Sequence, residues 1–181
     1  CDFNSHVAEA IPEARWLAAI RRELEHYHAE TKSLGHARTI FFGGGTPSLM
    51  TPDTAGAIIA HAKKLWGLAD RVEITLEANP TSVEAGRLKA LHQVGVNRVS
   101  LGVQALDDAG LRLLGRKHTA AEALAALETA RKAVPRISFD LIYARPGQTL
   151  AHWRGELARA IELAHGHLSL YQLTIERGTR F

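Results

Sequence analysis

The spacing of apolar residues changes along the chain, so that helix-like and strand-like segments follow one another. Apolar residues three and four positions apart indicate helices, and short apolar segments between them indicate strands. Helices are predicted at residues 12–33, 52–66, 82–94, 120–133 and 150–165. Strands are predicted at residues 38–42, 72–77, 98–104, 136–142 and 167–175. This strict alternation is typical of parallel strands joined by right-handed crossovers.

Threonines stand directly before four of these helices, where N-cap residues are expected. The four are Thr51, Thr81, Thr119 and Thr149. Pro52 follows the first of them at the N1 position, which suits proline. Glu84 and Glu122 stand three residues after the second and third threonines, and each pair is a capping-box signature. These signals support the predicted helix starts.

The three central strands alternate between apolar and polar residues. Their polar positions are Glu73, Thr75 and Glu77, then Arg98, Ser100, Gly102 and Gln104, then Ser138 and Asp140. Parallel strands that are buried on both faces have nearly continuous apolar sequences. Alternation therefore indicates one apolar face against helices and one polar face. An antiparallel sheet with one wet face would also alternate, but the intervening helices argue against it. We predict an α/β fold in which parallel strands form an open barrel around a polar ligand.

The first predicted strand leads into Gly43-Gly44-Gly45-Thr46-Pro47-Ser48. Three glycines leave the backbone uncovered and allow positive φ angles. Thr46 and Ser48 add hydroxyl groups, and Pro47 stiffens the end of the segment. Taken alone, such a run indicates only a loop. After a strand of an α/β fold, it is suited to hold a polar small molecule.

Other candidate site residues follow the same strand ends. Glu77 and Gln104 close two strands at their carboxyl ends, where α/β folds bind ligands. A solvated charge and a structural amide are the respective alternatives. Asp140 is flanked by apolar residues, and a buried acid is costly unless it is paired or faces a polar cavity. Arg116 is a candidate partner for it, or else a cation that flanks a helix.

Composition narrows the functional classes. The net charge is only +3 and no block of like charges occurs, so nucleic acid is not an expected partner. No apolar segment approaches the roughly 18 residues of a membrane span, and no signal-peptide pattern is present, so a cytoplasmic location is expected. Cys1 is the single cysteine, which excludes an internal disulfide. The ten histidines show no zinc-helix spacing.

Seven short motifs, in order along the whole chain, resemble one family. They are Cys1-Asp2-Phe3-Asn4-Ser5-His6, Phe42-Gly43-Gly44-Gly45-Thr46-Pro47-Ser48, Glu77-Ala78-Asn79-Pro80, Ser100-Leu101-Gly102-Val103-Gln104, Asp140-Leu141-Ile142-Tyr143, Pro146-Gly147-Gln148-Thr149 and Tyr171-Gln172-Leu173-Thr174. Each is weak alone, but the set is similar to radical S-adenosylmethionine (SAM) enzymes of the oxygen-independent coproporphyrinogen III oxidase type. An unrelated phosphate-binding barrel enzyme without iron is the remaining alternative.

The resemblance implies a partial (βα)6 barrel that carries a [4Fe-4S] cluster and SAM. A C-x-x-x-C-x-x-C motif holds the cluster in this family, and Cys1 aligns with its third cysteine, as a metal ligand. The chain has no initiator Met and ends after a predicted strand, so residues 1–181 are expected to be a fragment of the radical SAM core domain. The first strand, two cluster cysteines and a C-terminal domain would lie outside it. SAM cleavage is expected of the full-length protein.

The resemblance also implies roles for single residues. Gly44, Gly45 and Thr46 would contact the methionine end of SAM. Glu77 would contact SAM from the next strand. Gln104, Arg116 and Asp140 would hold the ribose and the carboxylate. Thr174 would line the adenine region through its backbone.

One departure from the motif bears on function. In the true oxidases a further cysteine stands two positions after the third, where this chain has Phe3. The motif instead resembles the sister group of haem chaperones, which bind haem and pass it to acceptor proteins. A true oxidase, which decarboxylates porphyrinogen propionates, is the alternative. Ala144-Arg145 stands where Gly-Leu is usual, and Arg177 where proline is usual; both affect the expected loop shapes.

Overall fold

The computed structural model describes residues 11–164, 166–175 and 177. Five parallel strands form one sheet in sequence order. They are β1 (Ala37–Phe42), β2 (Leu68–Ala78), β3 (Arg98–Gln104), β4 (Arg136–Tyr143) and β5 (Leu168–Gln172). Inward-facing side chains of all five strands line one cavity, so the sheet curls into a half-barrel. The predicted α/β class and the parallel arrangement are confirmed.

Six α-helices connect or precede these strands in the described part of the chain. They are α1 (Glu13–Thr31), α2 (Pro52–Trp66), α3 (Ala85–Gln93), α4 (Asp108–Leu113), α5 (Ala120–Ala133) and α6 (Leu150–Leu163). Short 3-10 turns occur at Lys32–Leu34, Pro47–Leu49 and Pro80–Ser82. None of the helices formed by the described residues combines the length and hydrophobicity needed to cross a membrane.

The core lies between the apolar face of the sheet and the helices. Leu76, Val99 and Phe139 are completely buried on that face. Leu88 of α3 and Leu127 of α5 pack in the same cluster. Burial of each such side chain stabilises the fold by about 1.5–3 kcal/mol. The apolar halves of the alternating strands therefore build the core, and the polar halves stay free for the site.

The structure corrects one predicted helix start. The capping box predicted from Thr81 and Glu84 is wrong, because Asn79 and Ser82 form a capping box that begins two residues earlier. The backbone N–H of Asn79 donates to Ser82 Oγ, which in turn donates to the Asn79 carbonyl. Pro80 begins a 3-10 turn that contains Thr81, and α3 begins only at Ala85.

The other three threonine caps are confirmed. Thr51 accepts a hydrogen bond from the backbone of Thr54, and Thr149 accepts one from the backbone of His152. Thr119 forms the predicted reciprocal box with Glu122. These contacts fix where α2, α5 and α6 begin.

Two further predictions of elements are wrong. Strict alternation fails between β3 and β4, where α4 precedes α5. α4 has only six residues, too few to show a helical period, and Asp107 caps it by accepting a hydrogen bond from the Gly110 backbone at 2.7 Å. β5 ends at Gln172 instead of continuing to residue 175, although the Leu173 N–H still donates to the Tyr143 carbonyl.

Candidate functional site

The glycine run forms an open loop after β1. Gly44 and Gly45 have φ angles of 84° and 51°, which favour glycine. A Cβ atom built on either residue has no heavy atom within 4 Å, so the backbone of the loop is uncovered. The Gly44 N–H donates to Glu77 Oε2 at 3.1 Å. The loop and the carboxyl end of β2 therefore form a single rim.

The hydroxyl groups of the loop hold it against the segment after β2. Asn79 Nδ2 donates to Thr46 Oγ1 at 3.4 Å. Ser48 is completely buried, and its Oγ lies 2.6 Å from Ser82 Oγ. Ser48 thus serves the internal structure of the loop. Thr46 Oγ1 accepts this hydrogen bond from Asn79, and Thr46 directly follows the uncovered glycines.

The predicted polar strand faces converge on one cavity of about 250 Å³ in the lumen of the half-barrel. Its polar lining from the central strands is Glu73, Thr75, Glu77, Arg98, Ser100, Ser138 and Asp140. His167, Ser169 and Tyr171 complete the lining at β5 and the residue before it, and Phe41 lines it at β1. The alternation in the sequence is the signal that located this cavity.

Asp140 is the acid at the centre of this lining. Burial raises its pKa, hydrogen bonds from Ser169 and Ser100 lower it, and the negative charge of Glu77 raises it again; the net direction is upward. The Ser100 hydroxyl donates to Asp140 Oδ1 at 3.4 Å. A half-buried carboxyl with two hydroxyl donors is suited to accept hydrogen bonds from a polar ligand.

Arg116 is not a direct ion-pair partner of Asp140. The charged atoms of these two described residues do not come within 4.0 Å of each other. Burial lowers the pKa of Arg116, and the charge of Asp140 partly opposes that shift. The guanidinium therefore acts on Asp140 through space, from the segment between α4 and α5.

Gln104 departs from the alternation of β3. It is a non-glycine residue with a φ of 71°, and the register between β3 and β4 shifts between Leu101 and Gln104. A Cβ atom built on Gly102 would lie 2.9 Å from Gln104 Nε2, so the amide of Gln104 lies over Gly102. Backbone strain of this kind costs about 1–3 kcal/mol and occurs at functional sites. Sequence patterns carry no signal for it.

An ion-paired cluster closes the amino end of the lumen, which sequence reasoning did not identify. Glu73 accepts hydrogen bonds from Arg98 at 3.0 Å and Arg136 at 3.1 Å. Burial raises the pKa of Glu73. The hydrogen bond and charge of Arg98 and the charge of Arg136 lower it by more, so the net shift of the pKa is downward. Arg98 also contacts His167 Nδ1. Since these charges already have partners, the ligand end of the lumen is the opposite one.

Two predicted site positions lie at or beyond the ends of the described sheet. Thr174 is exposed, two residues after β5. Cys1 lies outside the described residues, as do Phe3 and His6. The structure therefore brings together Gly44, Gly45, Thr46, Glu77, Gln104 and Asp140 at one end of the half-barrel, and Arg116 lies near enough to Asp140 for their charges to interact.

Comparison with known proteins agrees with this geometry. Residues 1–160 match the model of the radical SAM superfamily. The chain belongs to the radical SAM superfamily. SAM and a [4Fe-4S] cluster, the cofactors predicted from the motifs, are the cofactors of that superfamily.

Curated relatives refine the resemblance. The mitochondrial radical S-adenosyl methionine domain-containing protein 1 of Mus musculus is 42% identical over 99% of this chain and 40% of its own length. The heme chaperone HemW of Haemophilus influenzae is 40% identical over the whole chain and 49% of its own length. The chain thus spans less than half the length of these relatives.

A solved structure supports the same fold. Coproporphyrinogen III oxidase (HemN) from Escherichia coli, a radical SAM enzyme, superimposes with a TM-score of 0.78 at 26% identity. The match covers 96% of this chain and 40% of that one. The predicted partial radical SAM barrel is confirmed. The predicted family resemblance to the oxidase and the haem chaperones is confirmed as well.

Proposed function

We propose that the full-length protein binds SAM at the carboxyl end of the half-barrel and serves as a haem chaperone. The observation that carries the SAM site is the uncovered backbone of Gly44 and Gly45 beside the carboxylate of Glu77. The Gly44 N–H donates to Glu77, and the other uncovered backbone groups of the loop suit the amino and carboxylate groups of an amino acid. SAM carries both groups at its methionine end.

The remaining predicted contacts fit the rest of the ligand. Gln104 makes no hydrogen bond through its amide to another residue of the described ranges, so both its donor and its acceptor can serve a ligand. Asp140 offers carboxylate oxygens for ribose hydroxyls, and the positive charge of Arg116 interacts with it. Thr174 follows β5 at the same carboxyl edge, where its backbone would meet the adenine.

Cys1 would supply one thiolate to the iron–sulfur cluster, with two more from residues before it. When bound, the reduced cluster supplies the electron that cleaves SAM. The residues of this chain would hold and orient SAM. One thiolate cannot hold a four-iron cluster, so we expect activity only in the full-length protein.

The haem-chaperone role rests on two observations. Phe3 stands where the oxidases have a further cysteine, and relatives named as heme chaperones match the whole chain at 39–40% identity. Haem, or a porphyrinogen in the alternative oxidase, would be the second ligand, and haem-accepting proteins the partners. We place the protein in the cytoplasm, without a nucleic-acid partner.

The test uses the full-length protein, reconstituted anaerobically with iron and sulfide. We expect haem to bind and to pass to an apo-cytochrome, 5′-deoxyadenosine to form from SAM and dithionite, and coproporphyrinogen III to stay unchanged. Turnover of coproporphyrinogen without haem transfer would identify an oxidase instead. A protein that neither binds nor cleaves SAM would contradict the SAM site itself.

A further inference from the structure

A buried ion pair joins the loop after β4 to α6. The side chains of Arg145 and Glu156 are only 2% and 3% exposed. Arg145 Nη2 donates to Glu156 Oε2 at 2.8 Å and Nη1 donates to Oε1 at 3.2 Å, which is the bidentate arrangement. Such deeply buried pairs contribute little net stability, because the loss of hydration offsets their attraction. Stability alone therefore gives little reason for this pair.

Glu156 extends the pair to the backbone after β3. Its Oε1 also accepts a hydrogen bond from the Leu106 N–H at 2.8 Å. Its Oε2 also accepts one from Gln148 Nε2 at 3.0 Å. Each carboxylate oxygen thus has two donors. Glu156, on α6, thereby holds a backbone amide two residues after Gln104.

Arg145 reaches the same loop from β4. Its Nη1 donates to the Ile142 carbonyl at 3.3 Å, and its Nη2 contacts Asp107 Oδ2 at 3.3 Å. A Cβ atom built on Gly110 would lie 3.0 Å from Arg145 Cζ, so the first turn of α4 has room for the guanidinium only because that residue is glycine. Arg145 therefore ties the end of β4 to the start of α4.

These contacts favour a structural clamp over a metal site. Asp107, His152 and Glu156 bring ligand atoms within 4.8 Å of one another. Both oxygens of Glu156 are nevertheless fully used as hydrogen-bond acceptors, and the charge of Arg145 lies between the two carboxylates. A cation has no free ligand set there.

The clamp acts on the strained residue of the candidate SAM site. His118, which is buried, has its Nε2 3.1 Å from the Val103 carbonyl, directly before Gln104. The Leu106 amide, bound by Glu156, follows two residues later. The unusual backbone of Gln104, with its φ of 71°, is thus held on both sides by buried side chains.

We propose that Arg145 and Glu156 are positioning residues that hold the loop after β3 so that Gln104 presents its amide to SAM. The inference rests on the proposed function, since SAM is the ligand that Gln104 would meet. It also gives a role to Arg145, at a position where the family resemblance implies leucine. The residues touch no ligand themselves and act through the Leu106 backbone.

The test replaces both members together in the full-length protein, reconstituted with its cluster. Arg145→Leu/Glu156→Leu removes both charges and so leaves neither one buried alone. We expect an unchanged urea midpoint, faster hydrogen exchange of the Leu106 amide by about tenfold or more, and a Kd for SAM about tenfold higher. Arg131→Leu/Glu128→Leu changes another Arg–Glu pair, on α5. It should leave the exchange of the Leu106 amide and the Kd for SAM unchanged.

A milder variant covers the case in which the double variant does not fold. Arg145→Lys keeps the charge but loses the bidentate geometry, and it should raise the Kd in the same direction by a smaller factor. An unchanged Kd in every folded variant would overturn the inference, as would unchanged exchange at Leu106. If the wild-type protein binds no SAM, the proposed function fails, and the exchange data then show the pair to be structural only.

Discussion

Replacement of Gly102 by alanine tests the ligand role of Gln104 with one methyl group. Gly102 lies in β3, outside the left-handed backbone region, so alanine adds no backbone strain. Its Cβ atom would lie 2.9 Å from Gln104 Nε2, 3.6 Å from Asn79 Oδ1 and 3.9 Å from the Ala78 carbonyl oxygen. Only the first distance is too short, and it involves the flexible end of a side chain. The methyl group should therefore displace the amide and leave the sheet intact.

The Gly102→Ala change should affect the free energy of unfolding and the Kd for SAM differently. A compatible Gly→Ala change stabilises a fold by about 0.4–1 kcal/mol, and an off-rotamer side chain costs about 0.5–1.5 kcal/mol. The free energy of unfolding should therefore change by less than about 1 kcal/mol. Loss of one hydrogen bond to SAM costs about 0.5–1.5 kcal/mol. The Kd for SAM should accordingly rise about two- to tenfold.

Isothermal titration of SAM into the reconstituted full-length protein measures the Kd, and urea unfolding measures stability. Gly86→Ala is the matched control, because a Cβ atom on Gly86 of α3 has no neighbour within 4 Å. Its affinity for SAM should equal that of the wild type. A folded Gly102→Ala protein with wild-type affinity would show that the Gln104 amide does not contact SAM. Global unfolding would refute the packing reasoning.

Three further changes test other parts of the account. Asp140→Asn should be more stable than wild type at pH 7. Burial raises the pKa of Asp140 above its ordinary 3.8, so between the unfolded and the native pKa the native state binds more protons than the unfolded state. The stability of the wild type therefore falls as the pH rises through this range, and the asparagine variant lacks that loss. Parallel urea stability curves between pH 3 and 7 would contradict this. Thr149→Ala should destabilise the protein by about 1 kcal/mol through loss of the α6 cap, with Thr149→Ser restoring stability in thermal unfolding; no loss would contradict the cap. Glu156→Ala should cost about 3–5 kcal/mol in urea unfolding by leaving Arg145 charged and unpaired, and a small loss would contradict its deep burial.

Sequence patterns were sufficient where local periodicity and global packing agree. The alternation in β2, β3 and β4 predicted a polar lumen, and the cavity lining contains Glu77, Ser100 and Asp140 as expected. Thr51, Thr119 and Thr149 were correct because an N-cap depends on residues only three positions away. The same polar inner face was the basis for predicting an open barrel instead of a flat sheet.

The features that escaped prediction depend on contacts between distant segments. Arg145 and Glu156 meet because the loop after β4 folds back on α6, and neither residue belongs to a recognisable pattern. The positive φ of Gln104 depends on buried partners from two other segments. The Thr81 box failed because Thr81 lies inside the 3-10 turn that Asn79 caps, and α3 begins only at Ala85.

Hydrogen exchange of the reconstituted full-length protein, with and without SAM, tests the central claim most directly. The account predicts that SAM slows exchange at the amides of Gly44 and Gly45 and in the β3 end around Gln104, while α2 stays unchanged. Protection confined to other segments, or no protection at saturating SAM, would contradict the assignment of the glycine loop and the polar lumen as the SAM site.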